Sequence, residues 1–158
     1  MSLPVKSSAR ISIAAVVATK PGCRSRLIYR IRRHRGREGE RKGFGEAGYA
    51  ALFDAAHQQL GGPMVVVWDN LNTHASAMMK ALIATRPWLT VFHLPAYAPE
   101  LNPVEGVWAH MKKSPADLAM RTADQLTAVV KNRLKRMQYR PGLISGFTTR
   151  TGLDFRPP

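Results

Sequence analysis

Cysteine is almost missing from this chain. The single residue, Cys23, has no partner for an internal disulfide, and no paired Cys/His motif has the spacing of a zinc site. A disulfide-stapled scaffold and a zinc module are excluded on that count, and a reducing cytoplasm is the expected compartment. Acidic residues are scarce as well: 10 Asp and Glu stand against 24 Lys and Arg, a formal charge of +14 over 158 residues. That imbalance points to a polyanionic partner, nucleic acid before any other, and to a nucleoid-associated location. Long apolar runs are lacking too. No stretch approaches the roughly 20 apolar residues that a membrane helix requires, so no membrane partner is expected. Lys6 and Arg10 in front of "ISIAAVVA" (11–18) imitate a signal peptide, but the run is short and "TKPG" (19–22) makes a poor cleavage site.

What is present suffices for one globular domain, since 45% of the residues are apolar. Residues 1–9 lack periodicity and read as a flexible tail, as do residues 154–158. "RISIAAVVAT" (10–19) and "RLIYRIRR" (26–33) are rich in β-branched and aromatic residues and flank a Pro-Gly turn, which predicts a hairpin. A charged, glycine-punctuated loop follows. Tyr49, Leu52, Phe53, Ala56 and Leu60 recur at helical spacing from Glu46 onward, and Gly61-Gly62 stops that helix. "PMVVVWDN" (63–70) is an apolar run without alternation, the pattern of a central strand buried on both faces. A helix over 75–86 and a second apolar strand, "LTVFHL" (89–94), complete a strand–helix–strand unit with parallel strands. Further helices are expected from Pro103 to about Lys113 and from Ala123 to about Gln138, the latter with a Thr122/Gln125 capping box and "RPG" (140–142) as its end.

This topology brings two acids toward one place. Parallel strands of a βαβ unit finish at the same sheet edge, where open α/β sheets bind ligands. Asp69 ends the first strand, and the loop "LPAYAPELNPVEGVW" (94–108) after the second delivers Glu105 in the first turn of a helix. A plain helix-capping account competes: Asn102 as N-cap, Pro103 as the first helical residue and Glu105 reaching back to the cap's N–H. Asp-Asn after a strand is likewise ordinary turn chemistry. Yet an acid at the border of a dry core needs a partner, and a second acid beside it needs a proton or a divalent cation between them. Two carboxylates on a basic protein suit Mg²⁺, which takes oxygen ligands and phosphate partners.

"VVVWDNLNTH" (65–74) followed by "LPAYAPELNPVEGVW" resembles the catalytic core of mariner-like DDE transposases of bacterial insertion sequences, over about Arg10 to Leu153. The resemblance implies an α/β, ribonuclease-H-like fold, a mixed sheet flanked by helices, for a domain spanning 10–153. It also implies three acids binding two Mg²⁺ (or Mn²⁺) ions for DNA strand cleavage and transfer during transposition. On this likeness Asp69 and Glu105 are the second and third acids, Asn70 and His74 lie beside the site, DNA (transposon ends and target) is the partner, and a homodimer is the expected assembly.

The departure is the first acid, which the family carries on a strand preceding the part that begins here near Arg10. No acid precedes Glu38, and Glu38, Glu40, Glu46 and Asp54 fall in a charged loop and a helix, so none is a convincing substitute. The family's N-terminal helix-turn-helix region has no counterpart either. The expectation is therefore a domain incomplete at its N-terminus, from a truncated, split or frameshifted reading frame, with impaired activity on its own and unpaired strand edges where a central strand belongs. A non-catalytic, basic nucleic-acid-binding remnant is the alternative.

The cations form two runs. Lys20 to Lys42 holds ten of them, including Arg30, Arg32, Arg33, Arg35 and Arg37. The second comprises Lys131, Arg133, Lys135 and Arg136 on the last helix, with Arg140 beyond; Lys112 is a further nucleic-acid-binding candidate. A solvated face explains any one of them, and the excess as a whole predicts salt-dependent, sequence-tolerant DNA binding. Tyr29, Tyr97 and Trp108 are candidates for base stacking, with core packing favoured for Trp108.

Overall fold

The computed structural model describes residues 1–4, 10–113 and 122–153. Its strands fall into two sheets. Strands β2 (Arg10–Ala18) and β3 (Arg26–His34) form the expected hairpin, antiparallel in register from Arg10↔His34 to Ala18↔Arg26. A short strand β1 (Ser2–Pro4) pairs antiparallel with the start of β2 through Leu3↔Ile11. This corrects the expectation of a loose tail across residues 1–9: Leu3 is buried against Ile11 and Ile13, and that contact orders a segment with no periodicity of its own. Residues 5–9 and the proposed tail at 154–158 lie outside the described residues.

The second sheet is the parallel pair β4 (Met64–Trp68) and β5 (Leu89–His93), in register from Met64↔Leu89 to Trp68↔His93. Between its strands run α2 (Asn72–Ala75) and α3 (Ala77–Ala84), not the single helix expected over 75–86. Ser76 divides them because its hydroxyl accepts from the Met79 N–H at 3.1 Å, capping α3 and halting α2. Helix α1 (Glu46–Leu60) precedes β4 with the predicted bounds.

Alternation along β2 builds two cores. Ala14 and Ala18 join Phe53, Ala56, Met64, Val66, Trp68 and Met79 beneath α1 and α3. Ile11 and Ile13 face the other way, toward α4 (Pro103–Met111), α5 (Ala123–Gln138) and α6 (Pro141–Arg150). Helix α6 was not foreseen: Gly142, Gly146, Thr148 and Thr149 give it poor helix propensity, and burial of Ile144 and Phe147 compensates. Helix α5 carries the anticipated capping box, with Gln125 N–H donating to Thr122 Oγ1 and Thr122 N–H to Gln125 Oε1.

The expectation of β4 buried on both faces is also corrected. Met64, Val66 and Trp68 are buried, whereas Val65 is 67% and Val67 42% exposed, because α4–α6 pack over β2 and β3 and leave the second face of β4 open.

Candidate metal site and nucleic-acid surface

The carboxyl ends of β4 and β5 are tied together first. Asn70 Nδ2 donates to the Leu94 carbonyl at 2.9 Å, which fixes the turn after β4 to the end of β5. Asp69, half-buried, thus projects at the sheet edge. His74 Nδ1 lies 2.9 Å from Asp69 Oδ1 and 2.9 Å from the Asp69 carbonyl oxygen. Both of those atoms accept, so the proton sits on Nδ1. The imidazole is itself held by rings, stacked on Trp68 at 3.8 Å and met edge-on by Tyr49 at 4.7 Å. His74 therefore orients Asp69, and its hydrogen bond is the first cause that holds the Asp69 carboxyl below its ordinary value; burial opposes the shift.

Glu105 arrives by a different route. The loop from Pro95 passes Tyr97, fully exposed and with φ of 60°, and a 3₁₀ turn at Pro99–Leu101. Asn102 then caps α4 by accepting from Val104 N–H at 3.1 Å, with Pro103 at the first helical position. The reciprocal half of a capping box is missing, since Asn102 N–H donates to the Pro99 carbonyl. Glu105 is exposed and its carboxylate has no hydrogen bond or ion pair among the described residues, so the capping account covers Asn102 and not the acid it was meant to explain. Gly106 lets α4 approach α6: a Cβ there would lie 2.6 Å from the Phe147 ring.

Asp69 and Glu105 line one groove of about 710 Å³ that runs between β2 and β4. The Met1 amine, which donates to the Ile13 carbonyl at 2.7 Å, lies in the field of both carboxylates. Four other acids are already engaged: Glu40 with backbone N–H groups of residues 35–37, Glu46 with Arg41 and Ser76, Asp54 with Arg86, Asp124 with Arg33. Among the described residues no group of three or more His, Cys, Asp and Glu side chains is placed to hold a metal ion. The fit to a divalent cation is therefore a two-carboxylate fit, which suits an ion that keeps waters and takes phosphate oxygens as further ligands.

The basic residues divide between the two sides of the sheet. Arg30 and Arg32 alternate with Tyr29 and Ile31, which pack toward the helices α4–α6, so these cations stand on the α1 side. Arg32 bonds the Gly43 carbonyl, Arg33 pairs with Asp124, and Arg35 and Arg37 are exposed in the following loop. Lys131, Lys135 and Arg136 are exposed on α5, Lys112 caps the end of α4, and Arg133 donates to the Met111 carbonyl. Between α4 and α5 lies a basic hollow of about 360 Å³ lined by His110, Lys113, Arg133, Arg136 and Arg140. Burial and the neighbouring Lys113 and Arg140 cations push the His110 imidazole below its ordinary value. His110 and Lys113 escaped the sequence reading because they sit at a helix end whose neighbour, α5, is distant in the chain. Tyr29 and Trp108 are partly buried against the second core, leaving Tyr97 as the exposed ring of the three stacking candidates.

This arrangement has solved counterparts. The fold is similar to that of a Mos1 transposase catalytic domain solved with raltegravir and Mn, at TM-score 0.53 and 13% identity, covering 92% of this chain and 84% of that one. A second structure, the catalytic domain of Mos1 mariner transposase, matches at TM-score 0.51 and 14% identity over 92% and 83%. The fold is accordingly ribonuclease-H-like. No curated protein sequence matches. The sequence profile of the DDE superfamily endonucleases matches residues 41–127, more than half of the chain, and includes both Asp69 and Glu105; the protein belongs to that family.

Proposed function

We propose that this chain is the catalytic part of a mariner-like transposase of an insertion sequence, cutting and joining DNA strands with Mg²⁺ or Mn²⁺ held by Asp69 and Glu105. A third acid comes from outside the described residues, and the chain is impaired without it. The observation that carries this reading is the placement of an oriented carboxylate and an unengaged one on the same groove of a DDE-family chain. A bound divalent ion would supply an activated water or hydroxyl and neutralise charge on the phosphate.

The chain's own residues do the rest. His74 keeps Asp69 ionised and aimed, Asn70 fixes the turn that carries it, and the Asn102 cap with Gly106 sets the angle of the helix that presents Glu105. Arg30, Arg32, Arg35, Arg37, Lys112, Lys131, Lys135 and Arg136 supply phosphate contacts, which carry affinity without sequence choice. The acting form is a homodimer in the cytoplasm, on the DNA of the nucleoid.

The test is nicking of supercoiled plasmid with Mg²⁺ or Mn²⁺. Asp69→Ala and Glu105→Ala should each reduce nicking to the metal-free background while DNA affinity stays within about twofold, the range expected when no phosphate contact is lost. The lack of a three-acid cluster among the described residues favours a second reading, a non-catalytic basic DNA-binding protein. It prevails if the chain binds DNA, never nicks it, and neither substitution changes metal binding.

A further inference from the structure

The basic hollow between α4 and α5 has a defined floor and wall. Arg133, Arg136 and Arg140 recur at intervals of three and four along α5 and its exit, the spacing that puts residues on one helix face. His110 and Lys113 come from the end of α4. Met111 and Met137, both buried, form the floor. The wall is fixed, because Arg133 donates to the Met111 carbonyl and the His110 ring meets Phe147 of α6 edge-on at 6.1 Å. None of the seven lining residues also lines the groove of Asp69 and Glu105, so the hollow is a separate place on the molecule.

Its electrostatics are one-sided. Among the described residues no acid lines the hollow, and Lys113, Arg136 and Arg140 enter no salt bridge. Like charges around one concavity repel, and their effect on a neighbour is visible: burial first, then Lys113 and Arg140, hold the His110 imidazole below its ordinary value. A solvated basic surface relieves such repulsion by spreading its side chains in water. An apolar floor and a fixed wall instead leave a seat of about 360 Å³, at the lower end of the range for ligand sites. Arginine forks and a lysine ammonium match a tetrahedral oxyanion, two oxygens to a guanidinium and one to an ammonium. We propose that the hollow is a phosphate-binding site that seats one backbone phosphate of a nucleic-acid strand, outside the metal groove.

The rest of the chain selects this occupant. A net charge of +14 favours polyanions, and Lys112, Lys131 and Lys135 lie on the same two helices, so a strand crossing the hollow meets further cations. A free phosphate ion shares the chemistry of the seat but gains nothing from those neighbours. The assignment rests on nucleic-acid binding, which both readings of the chain share, and not on cleavage. It also makes His110 a reporter of occupancy. A phosphate beside the imidazole favours its protonated form, so affinity should increase as pH falls through about 6.5, with Lys113, Arg133, Arg136 and Arg140 as the charged groups around the ring.

The test uses the full chain in EDTA, so that failure here and failure of nicking are separate results. A fluorescein-labelled duplex oligonucleotide is titrated by anisotropy over a series of salt concentrations. Lys113→Gln and Arg140→Gln, both at exposed positions, should each weaken binding about fivefold or more. Together they should lower the log–log salt slope by about 0.9, the share of one phosphate. Lys80→Gln, an equal loss of charge on α3, should change affinity by less than about twofold. The His110 ring resonances, assigned with His110→Gln, should move when the duplex is added and titrate at higher pH in the complex. They should stay in place in the Lys113→Gln, Arg140→Gln double variant, and His110→Gln should flatten the pH dependence of affinity. Equal losses for Lys80→Gln and Arg140→Gln with an unmoved His110 ring overturn the site, since the cations then act only as a diffuse field. Movement of that ring by inorganic phosphate but not by the duplex overturns the nucleic-acid assignment.

Discussion

The two sheets of this molecule are built to different degrees of closure. β2 and β3 have helices on both faces; every side chain of β2 is buried or half-buried, and the exposed positions of β3 are the arginines Arg26, Arg30 and Arg33. β4 and β5 are covered by α1 and α3 on one face and carry exposed Val65, Val67 and Phe92 on the other. Apolar sequence alone does not decide burial: "MVVVW" is the more hydrophobic strand and the more exposed one. Burial depends on what the rest of the chain brings over each face, and the face that stays open here borders the two acids.

That comparison can be broken most forcefully at the site itself. The loss of nicking expected for Asp69→Ala and Glu105→Ala is the largest effect, and it locates function on the open side. Stability should show the reverse. Leu134→Ala, in the fully buried second core, should cost about 2–5 kcal/mol in a denaturant titration. Val67→Ala on the open face should cost less than about 0.5 kcal/mol. Equal costs would mean that the open face is covered in solution. Gly106→Ala sits between these extremes. Its methyl meets Phe147, and an overpacking cost of about 1–3 kcal/mol is expected, with thermal unfolding as the readout.

The smallest effect is a pH dependence remote from the groove. Arg41 and Ser76 hold the Glu46 carboxyl at about 2, from an ordinary 4.5. A depressed folded-state value means that the ionised carboxylate contributes in full above about pH 4.5, and that its contribution fades as pH falls toward about 2. Glu46→Gln should flatten the stability profile across that window, measured by acid titration of the unfolding midpoint. An unchanged acid limb would remove the Arg41–Glu46–Ser76 link from the account.

Much of this was legible in the residues. Helices α1 and α5 carry their stop and start signals, Gly61-Gly62 and the Thr122/Gln125 box, within a few residues of their ends, and local chemistry of that kind reads directly. The positions of Asp69 and Glu105 at one edge follow from parallel strand topology. What stayed hidden depends on partners far away in sequence. β1 is a strand because β2 lies beside it, α6 is a helix because Ile144 and Phe147 find a core, and the Glu105 carboxylate is left out of the cap because Asn102 N–H bonds Pro99 instead. The proton position on His74 was equally out of reach, since it requires seeing Nδ1 against two acceptors.

The most direct measurement is an Mn²⁺ titration followed by water-proton relaxation, on the unaltered chain and on Asp69→Asn, Glu105→Gln and the control Glu100→Gln. Both site variants should bind Mn²⁺ about tenfold or more weakly, the scale seen when groups supporting a metal site are removed, while the control matches the unaltered chain. Identical titrations for all four proteins would contradict the claim that Asp69 and Glu105 hold one divalent ion between them.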